Sequence, residues 1–334
     1  MSTEVLDRVL QNTLPTVTES FGLMFQGGEP TLAGLDFFKA TISLAEKHNT
    51  NKTQITYAIQ TNGLLITAEW CEFFRQHDFL VGLSLDGPAG IHNANRVDSN
   101  GKGSHKEVMI ALELLQKHNV ATNILTVITE ESGGRVREID AFFRQIGVDF
   151  IQHIPCLDPI GDIRGKKSFS LSSKGYQRYL KASFDIWYKD IMEGNYRSNR
   201  YFDNLVLMLH GQQPEACSMR GVCSHQYIVE ADGSTYPCDF YAMDKYFLGN
   251  LTVDSVEQIN ATRQKIMFIE NSMKVEEKCK KCPWFSLCRG GCRRDRDYFG
   301  GGIGGNYYCS AYKNFFEHSY DKLRQVAQLA KGGL

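Results

Sequence analysis

Eight of the ten cysteines in this 334-residue chain fall between Cys217 and Cys309, spaced C-x5-C-x14-C-x40-C-x2-C-x5-C-x3-C-x16-C. Eight thiols make two sets of four, and four thiolates complete the first shell of one metal site. Disulfides are the weaker reading. The chain opens on no charged-then-apolar leader and is far longer than a small stapled secreted domain, so a cytoplasmic setting is expected. Spacing alone does not separate two structural zinc sites, which the tight Cys279-x2-Cys282 pair suits, from two iron–sulfur clusters.

Residues far upstream break that tie. The string Phe25-Gln26-Gly27-Gly28-Glu29-Pro30 directly follows the apolar run Phe21 to Phe25. A short apolar stretch ending in two glycines and a proline reads as a buried strand running into a loop. Glycines there let a ligand approach the backbone with no Cβ in the way. Main-chain carbonyls and the Glu29 carboxylate are then placed to meet a ligand ammonium group. Gly-Gly alone marks an ordinary strand-end turn. The full Gly-Gly-Glu-Pro string followed by eight cysteines resembles the motif with which radical S-adenosylmethionine enzymes hold the methionine amino group.

With 42% apolar and 22% charged residues, a chain of this length can bury a large core and is expected to hold two domains. A net charge of −1 exerts no overall pull on nucleic acid or anionic membrane, so neither is expected as a partner. The apolar runs fall far short of the roughly 20 residues that span a bilayer. Cys71 and Cys156 stand alone and are expected as buried core thiols.

Along the chain, apolar periodicity alternates between helix and strand. Helix is expected over Thr3–Gln11, Leu35–His48, Ala68–His77, Lys106–His118 and Arg135–Ile146. Strands are expected over Phe21–Phe25, Ile55–Gln60, Phe79–Leu85, Thr122–Ile128 and Phe150–Pro155. Such alternation argues for parallel βα units, an open or closed α/β barrel with functional residues at the carboxyl ends of its strands. Gly27–Glu29, Thr61–Gly63, Ser84–Gly87 and Cys156–Asp158 all stand at such ends. Lys174–Ile191 reads as a helix whose Tyr179, Phe184, Trp187 and Tyr188 serve core packing. From Cys217 onward glycine, cysteine and short strands dominate, with a hairpin turning on Asp232-Gly233. The expected domains are residues 1–199 and 200–334.

At this point the resemblance extends over nearly the whole chain: FQGGEPTLAG, QTNG, LVGLSLDGP, NILTVIT, VEADGSTYPCDFY, LGN and CKKCPWFSLCRGGCRR. It is similar to the anaerobic sulfatase-maturating enzymes, radical S-adenosylmethionine proteins with a C-terminal SPASM domain. That family oxidises a sulfatase active-site cysteine or serine to formylglycine. The resemblance implies S-adenosylmethionine at Gly27, Gly28, Glu29, Ser84, Arg96 and Leu157. It implies one auxiliary 4Fe–4S cluster on Cys217, Cys223, Cys238 and Cys292, and another on Cys279, Cys282, Cys288 and Cys309. Asp239 matches the general base. The implied partners are a sulfatase polypeptide and an electron donor such as flavodoxin or ferredoxin.

One departure stands out. Family members carry C-x3-C-x2-C after their first strand, holding the cluster that cleaves the cofactor, whereas residues 1–24 contain no cysteine. The expected fold is therefore a partial (β/α)6 radical S-adenosylmethionine barrel lacking its first strand, followed by a SPASM domain. The chain as given is expected not to start the radical reaction. The alternatives are another SPASM peptide-modifying enzyme, such as one forming thioether crosslinks, and a non-catalytic cluster-binding remnant.

The remaining chemistry is coherent. Four-thiolate clusters leave no iron open, which favours electron transfer or structure over substrate ligation. Formylglycine formation releases an electron and a proton besides the abstracted hydrogen atom. Asp239, directly after Cys238, is placed to take the proton; its plainer role is to cap a turn. Arg96 is suited to a carboxylate or a ribose, His92 to packing. Arg289, Arg293, Arg294 and Arg296 surround Cys292, where they balance thiolate charge better than they serve nucleic acid.

Overall fold

The computed structural model describes residues 1–297 and 304–331. Six parallel strands come in chain order: β1 (Ser20–Phe25), β2 (Gln54–Thr61), β3 (Leu80–Ser84), β4 (Thr122–Ile128), β5 (Phe150–Pro155) and β6 (Ser198–Asn199). Three short antiparallel strands follow, β7 (Ile228–Val229), β8 (Ser234–Tyr236) and β9 (Gly249–Asn250). The alternating βα pattern expected from the sequence is present, with the sixth strand as an addition. At two residues, β6 is too short to leave a periodic trace.

By their contacts the residues form two compact units interleaved along the chain. The first comprises Met1–Leu83, Glu107–Thr122 and Ser224–Asn271. In it β1 pairs with β2 from Ser20↔Gln54 to Phe25↔Ile59, and β2 with β3 from Ala58↔Leu80 to Thr61↔Leu83. The helix Leu35–His48 forms because Phe38, Ile42 and Ala45 share one buried face, with Asp36 in the first turn and Lys47 and His48 in the last complementing the dipole. Phe38 meets Phe25 of β1 at 4.9 Å and Trp70 of the helix Ala68–Gln76 at 5.1 Å between ring centroids. The expected hairpin is here, as Ile228↔Tyr236 and Val229↔Thr235. Its Gly233 has φ +88, and a Cβ there would stand 2.5 Å from Thr252 Cγ2, so only glycine fits the turn.

The second unit comprises Ser84–Lys106, Asn123–Cys223 and the described residues from Ser272 on. In it β4 pairs with β5 and β5 with β6. Its core centres on the helix Ser173–Met192, whose Tyr179, Phe184 and Trp187 are buried as expected, with Tyr188 half-buried against them. The sequence reading found only cysteine, glycine and short strands at the C-terminal end. The structure instead has a 23-residue helix, Cys309–Lys331, which packs along Ser173–Met192 through Phe315 and Phe184, 5.6 Å apart. Cys71 is fully buried as expected, whereas Cys156 is half-buried.

Candidate functional site

The loop after β1 is built for close approach. Gly27 has φ +124, a conformation that side chains resist, and a Cβ on Gly27 or Gly28 would meet nothing within 4 Å, so both flank open space. The Glu29 carboxylate is already engaged. Its Oε1 accepts from Thr31 N (3.0 Å), Thr31 Oγ1 (2.6 Å) and Thr61 Oγ1 (2.7 Å), and its Oε2 from Asn62 N (2.7 Å). These bonds tie the strand-end loops of β1 and β2 together, which positions the Gly27–Gly28 backbone. An ionised carboxylate has about four acceptor sites, so Oε2 keeps room for one further donor.

In the second unit Ser84 closes β3 and is buried. Two residues on, the buried Asp86 receives Arg96 in a bidentate pair, Nε to Oδ2 at 2.6 Å and Nη2 to Oδ1 at 3.2 Å. The main-chain N–H of Val127 in β4 also donates to Oδ1, at 2.8 Å. The sequence reading put Ser84–Gly87 among the functional strand ends but did not pair Asp86 with Arg96. A carboxylate ten residues before an arginine carries no local rule that joins them.

Leu157, half-buried, lies in the loop after β5. Its neighbour Asp158 is buried, accepting from Gly165 N at 3.0 Å and from Ser170 Oγ. Arg294 Nη2 donates to the Asp158 carbonyl, and Tyr308 OH to that of Cys156 at 3.1 Å. Arg296, 2% exposed, donates to the carbonyls of Ser272 (2.6 Å) and Lys274 (2.7 Å). Arg294 and Arg296 are thus buried main-chain clamps, and the equally buried Arg293 lies 3.9 Å from Asp297, so the three do not form a surface for nucleic acid.

The cysteines divide into two situations. Cys279, Cys282, Cys288 and Cys309 jointly line one recess, walled by Trp284, Phe285, Tyr312 and Phe316. Four thiols around one recess are the donor set that a zinc ion or an iron–sulfur cluster takes. Burial pushes the Cys288 thiol up to about 11, with the Gly290 N–H opposing and the other three cysteines adding to the rise. Of the other set, Cys217, Cys223 and Cys292 belong to the second unit, where burial raises Cys292 and Cys223 and each feels Cys217. The Cys223 N–H donates to Ser272 Oγ at 2.9 Å and the Arg294 N–H to Cys292 Sγ at 3.3 Å. Cys238 belongs to the first unit, after β8. Its Sγ donates to Oδ1 of the solvent-exposed Asp239 at 3.2 Å.

This chain matches the radical SAM superfamily over residues 3–143 and the SPASM iron–sulfur cluster-binding domain over residues 217–283. It is 43% identical to the cysteine-type anaerobic sulfatase-maturating enzyme of Clostridium perfringens, over 99% of this chain and 90% of that one. Identity to the serine-type enzyme of Bacteroides thetaiotaomicron is 32%, over 95% of this chain and 80% of that one. Among solved structures, native anSMEcpe with bound AdoMet and Kp18Cys peptide superposes with a TM-score of 0.96 at 43% identity, covering 98% of this chain and 91% of that one.

Proposed function

The chain belongs to the anaerobic sulfatase-maturating enzymes of the radical S-adenosylmethionine superfamily, and from that premise we propose how its residues divide the work. Family members oxidise a sulfatase active-site cysteine or serine to formylglycine. We assign this chain a sulfatase polypeptide presenting cysteine, on the 43% identity to a cysteine-type enzyme against 32% to a serine-type one. We place the work in the cytoplasm, with flavodoxin or ferredoxin as electron donor; among the described residues no helix is long and apolar enough to cross a membrane. We keep the domain division at residues 1–199 and 200–334.

Gly27, Gly28, Glu29, Ser84, Arg96 and Leu157 take the S-adenosylmethionine. Cys217, Cys223, Cys238 and Cys292 hold one auxiliary 4Fe–4S cluster, and Cys279, Cys282, Cys288 and Cys309 the other. No C-x3-C-x2-C string occurs in these 334 residues, so their own thiols account for two clusters. When bound, the cofactor and clusters supply hydrogen-atom abstraction and an electron sink. The substrate loses one hydrogen atom, one electron and one proton, a two-electron oxidation that leaves a thioaldehyde, which water converts to formylglycine with release of hydrogen sulfide. Asp239 accepts the proton.

The observation that carries this role is the 3.2 Å contact between Cys238 Sγ and Asp239 Oδ1 on an exposed carboxylate. A thiol that ligates metal gives up its proton, which releases Oδ1 to accept the substrate's. In a form bearing a relative's three-cysteine segment, Asp239→Asn is expected to lower formylglycine formation on a sulfatase-derived peptide at least about a hundredfold. Cleavage to 5′-deoxyadenosine is expected to persist. Peptide oxidation at the parent rate would remove Asp239 from the role.

A further inference from the structure

Arg96 is held from two sides by groups that the proposed reaction does not otherwise use. On the guanidinium side, Asp86 takes Nε and Nη2, and the Val127 N–H anchors the same carboxylate to β4. Two of five guanidinium donors are thereby spent, and three remain for a ligand. Arg96 is itself about a quarter exposed, with its side chain at 26% against 8% for Asp86. The anchored edge is thus the buried one.

On the main-chain side, the link runs through the fully buried His92. The Asp86 N–H points at His92 Nδ1, 3.3 Å away, and His92 Nε2 lies 3.1 Å from Ser104 Oγ. Ser104 Oγ donates to the Arg96 carbonyl at 3.2 Å, and Ser104 N–H to the same oxygen at 3.3 Å. A main-chain N–H can only donate, so Nδ1 must accept, and the neutral ring carries its proton on Nε2. Every bond in the chain then runs one way, from Asp86 N–H through His92 and Ser104 to the Arg96 carbonyl. Burial also keeps this imidazole neutral, pushing it down to about 4.

We infer that Asp86 and His92 are positioning residues that fix Arg96 at both ends, so that its free donors meet an oxygen of the cofactor without reorganising. Asp86 sets the guanidinium plane, and His92 locks the turn from residue 86 to residue 104 that carries the arginine. The inference rests on the reading of Arg96 as a cofactor contact. Preorganised donors bind more tightly because no side-chain freedom is lost at the moment of binding.

The test is a double-mutant cycle on the full chain, reconstituted without oxygen, with S-adenosylmethionine affinity read by equilibrium dialysis. Asp86→Asn and His92→Leu are each expected to weaken binding about tenfold, the value of one charge-assisted hydrogen bond. Neither is expected to weaken it further in an Arg96→Ala background. His92→Asn, which keeps an acceptor near Nδ1, is expected to restore part of the loss. Parent-like affinity in Asp86→Asn, or an equal loss without Arg96, overturns the inference. Parent-like affinity in Arg96→Ala would instead remove the cofactor reading of Arg96 itself. The nitrogen-15 resonance of Arg96 Nε–H supplies a readout that needs no cofactor. It is expected to exchange slowly in the parent and fast in Asp86→Asn, and an unchanged resonance also overturns the inference.

Discussion

The two cysteine sets are built by different means. Cys279, Cys282, Cys288 and Cys309 all come from one compact unit and close one recess. Three of them follow from local turns: Cys282 N–H donates to the Cys279 carbonyl at 3.0 Å, and Cys288 N–H to that of Trp284 at 2.8 Å. Cys217, Cys223 and Cys292 lie in that same unit, but Cys238 lies in the other. Short-range geometry thus accounts for three of the four recess cysteines, while Cys223 leans on a long-range anchor, its N–H donating to Ser272, whose carbonyl Arg296 holds. Closing a long loop costs more chain entropy than closing a short one, so the set lining the recess should assemble more readily.

The largest effect that would break this comparison is loss of metal. Reconstituted chain is expected to hold about eight irons and eight sulfides, from two fully ligated clusters. Cys288→Ser should remove about four, with metal-linked folding energy on the order of 10 kcal/mol at stake in that region. Colorimetric iron and sulfide analysis reads this directly. Stoichiometric zinc with negligible iron would return both sets to a structural role.

Arg296 sharpens the contrast. Arg296→Met leaves the buried carbonyl of Ser272 and the part-buried one of Lys274 without its donors, an expected cost of about 3 kcal/mol. Because Ser272 also receives the Cys223 N–H, this variant should lose iron from the set containing Cys223 and Cys292 while the recess keeps its own. Arg289→Met serves as the control. Arg289 contacts Gln213 Oε1 at 2.8 Å in an exposed position, and the expected change is under about 1 kcal/mol. Denaturant melts paired with iron counts separate the outcomes, and equal iron loss from both sets would erase the distinction.

The smallest effect concerns Asp203, remote from either set's ligands in the sequence. Burial raises its carboxyl to about 6, with Ser198 Oγ donating to Oδ2 at 2.6 Å and partly opposing the rise. Between about pH 4, where the unfolded carboxyl titrates, and pH 6, the folded chain holds a proton that the unfolded chain has lost. This contribution is fully present below the lower value and disappears as pH rises through the upper one, a loss of at most about 3 kcal/mol. Asp203→Asn should flatten that part of the stability profile by thermal melts at pH 4.5 and 7.5 and leave iron content unchanged. An unaltered slope would refute the assignment.

Much of the fold was legible in the residues. The helix Leu35–His48 and the strands Thr122–Ile128 and Phe150–Pro155 match their expected ranges, because each carries an unbroken apolar period bounded by turn residues. The helix Cys309–Lys331 was equally readable, since Ala311, Phe315, Phe316, Ser319, Leu323 and Val326 fall on one buried face. The density of glycine and cysteine just before it obscured that period. The Gly-Gly string, the eight cysteines and Asp239 beside Cys238 were likewise visible, because each is a statement about neighbours in sequence.

The residues alone were enough for the order of the βα units, the clustering of eight cysteines and the family. Only the tertiary structure decided how polar groups are spent. Glu29 is divided among Thr31, Thr61 and Asn62, Asp86 between Arg96 and Val127, and Arg296 between two carbonyls. The physical reason is that a buried charge must find partners wherever folding brings donors and acceptors together. Periodicity predicts which face of an element is buried, whereas hydrogen-bond partners tens of residues apart are fixed only when those faces pack.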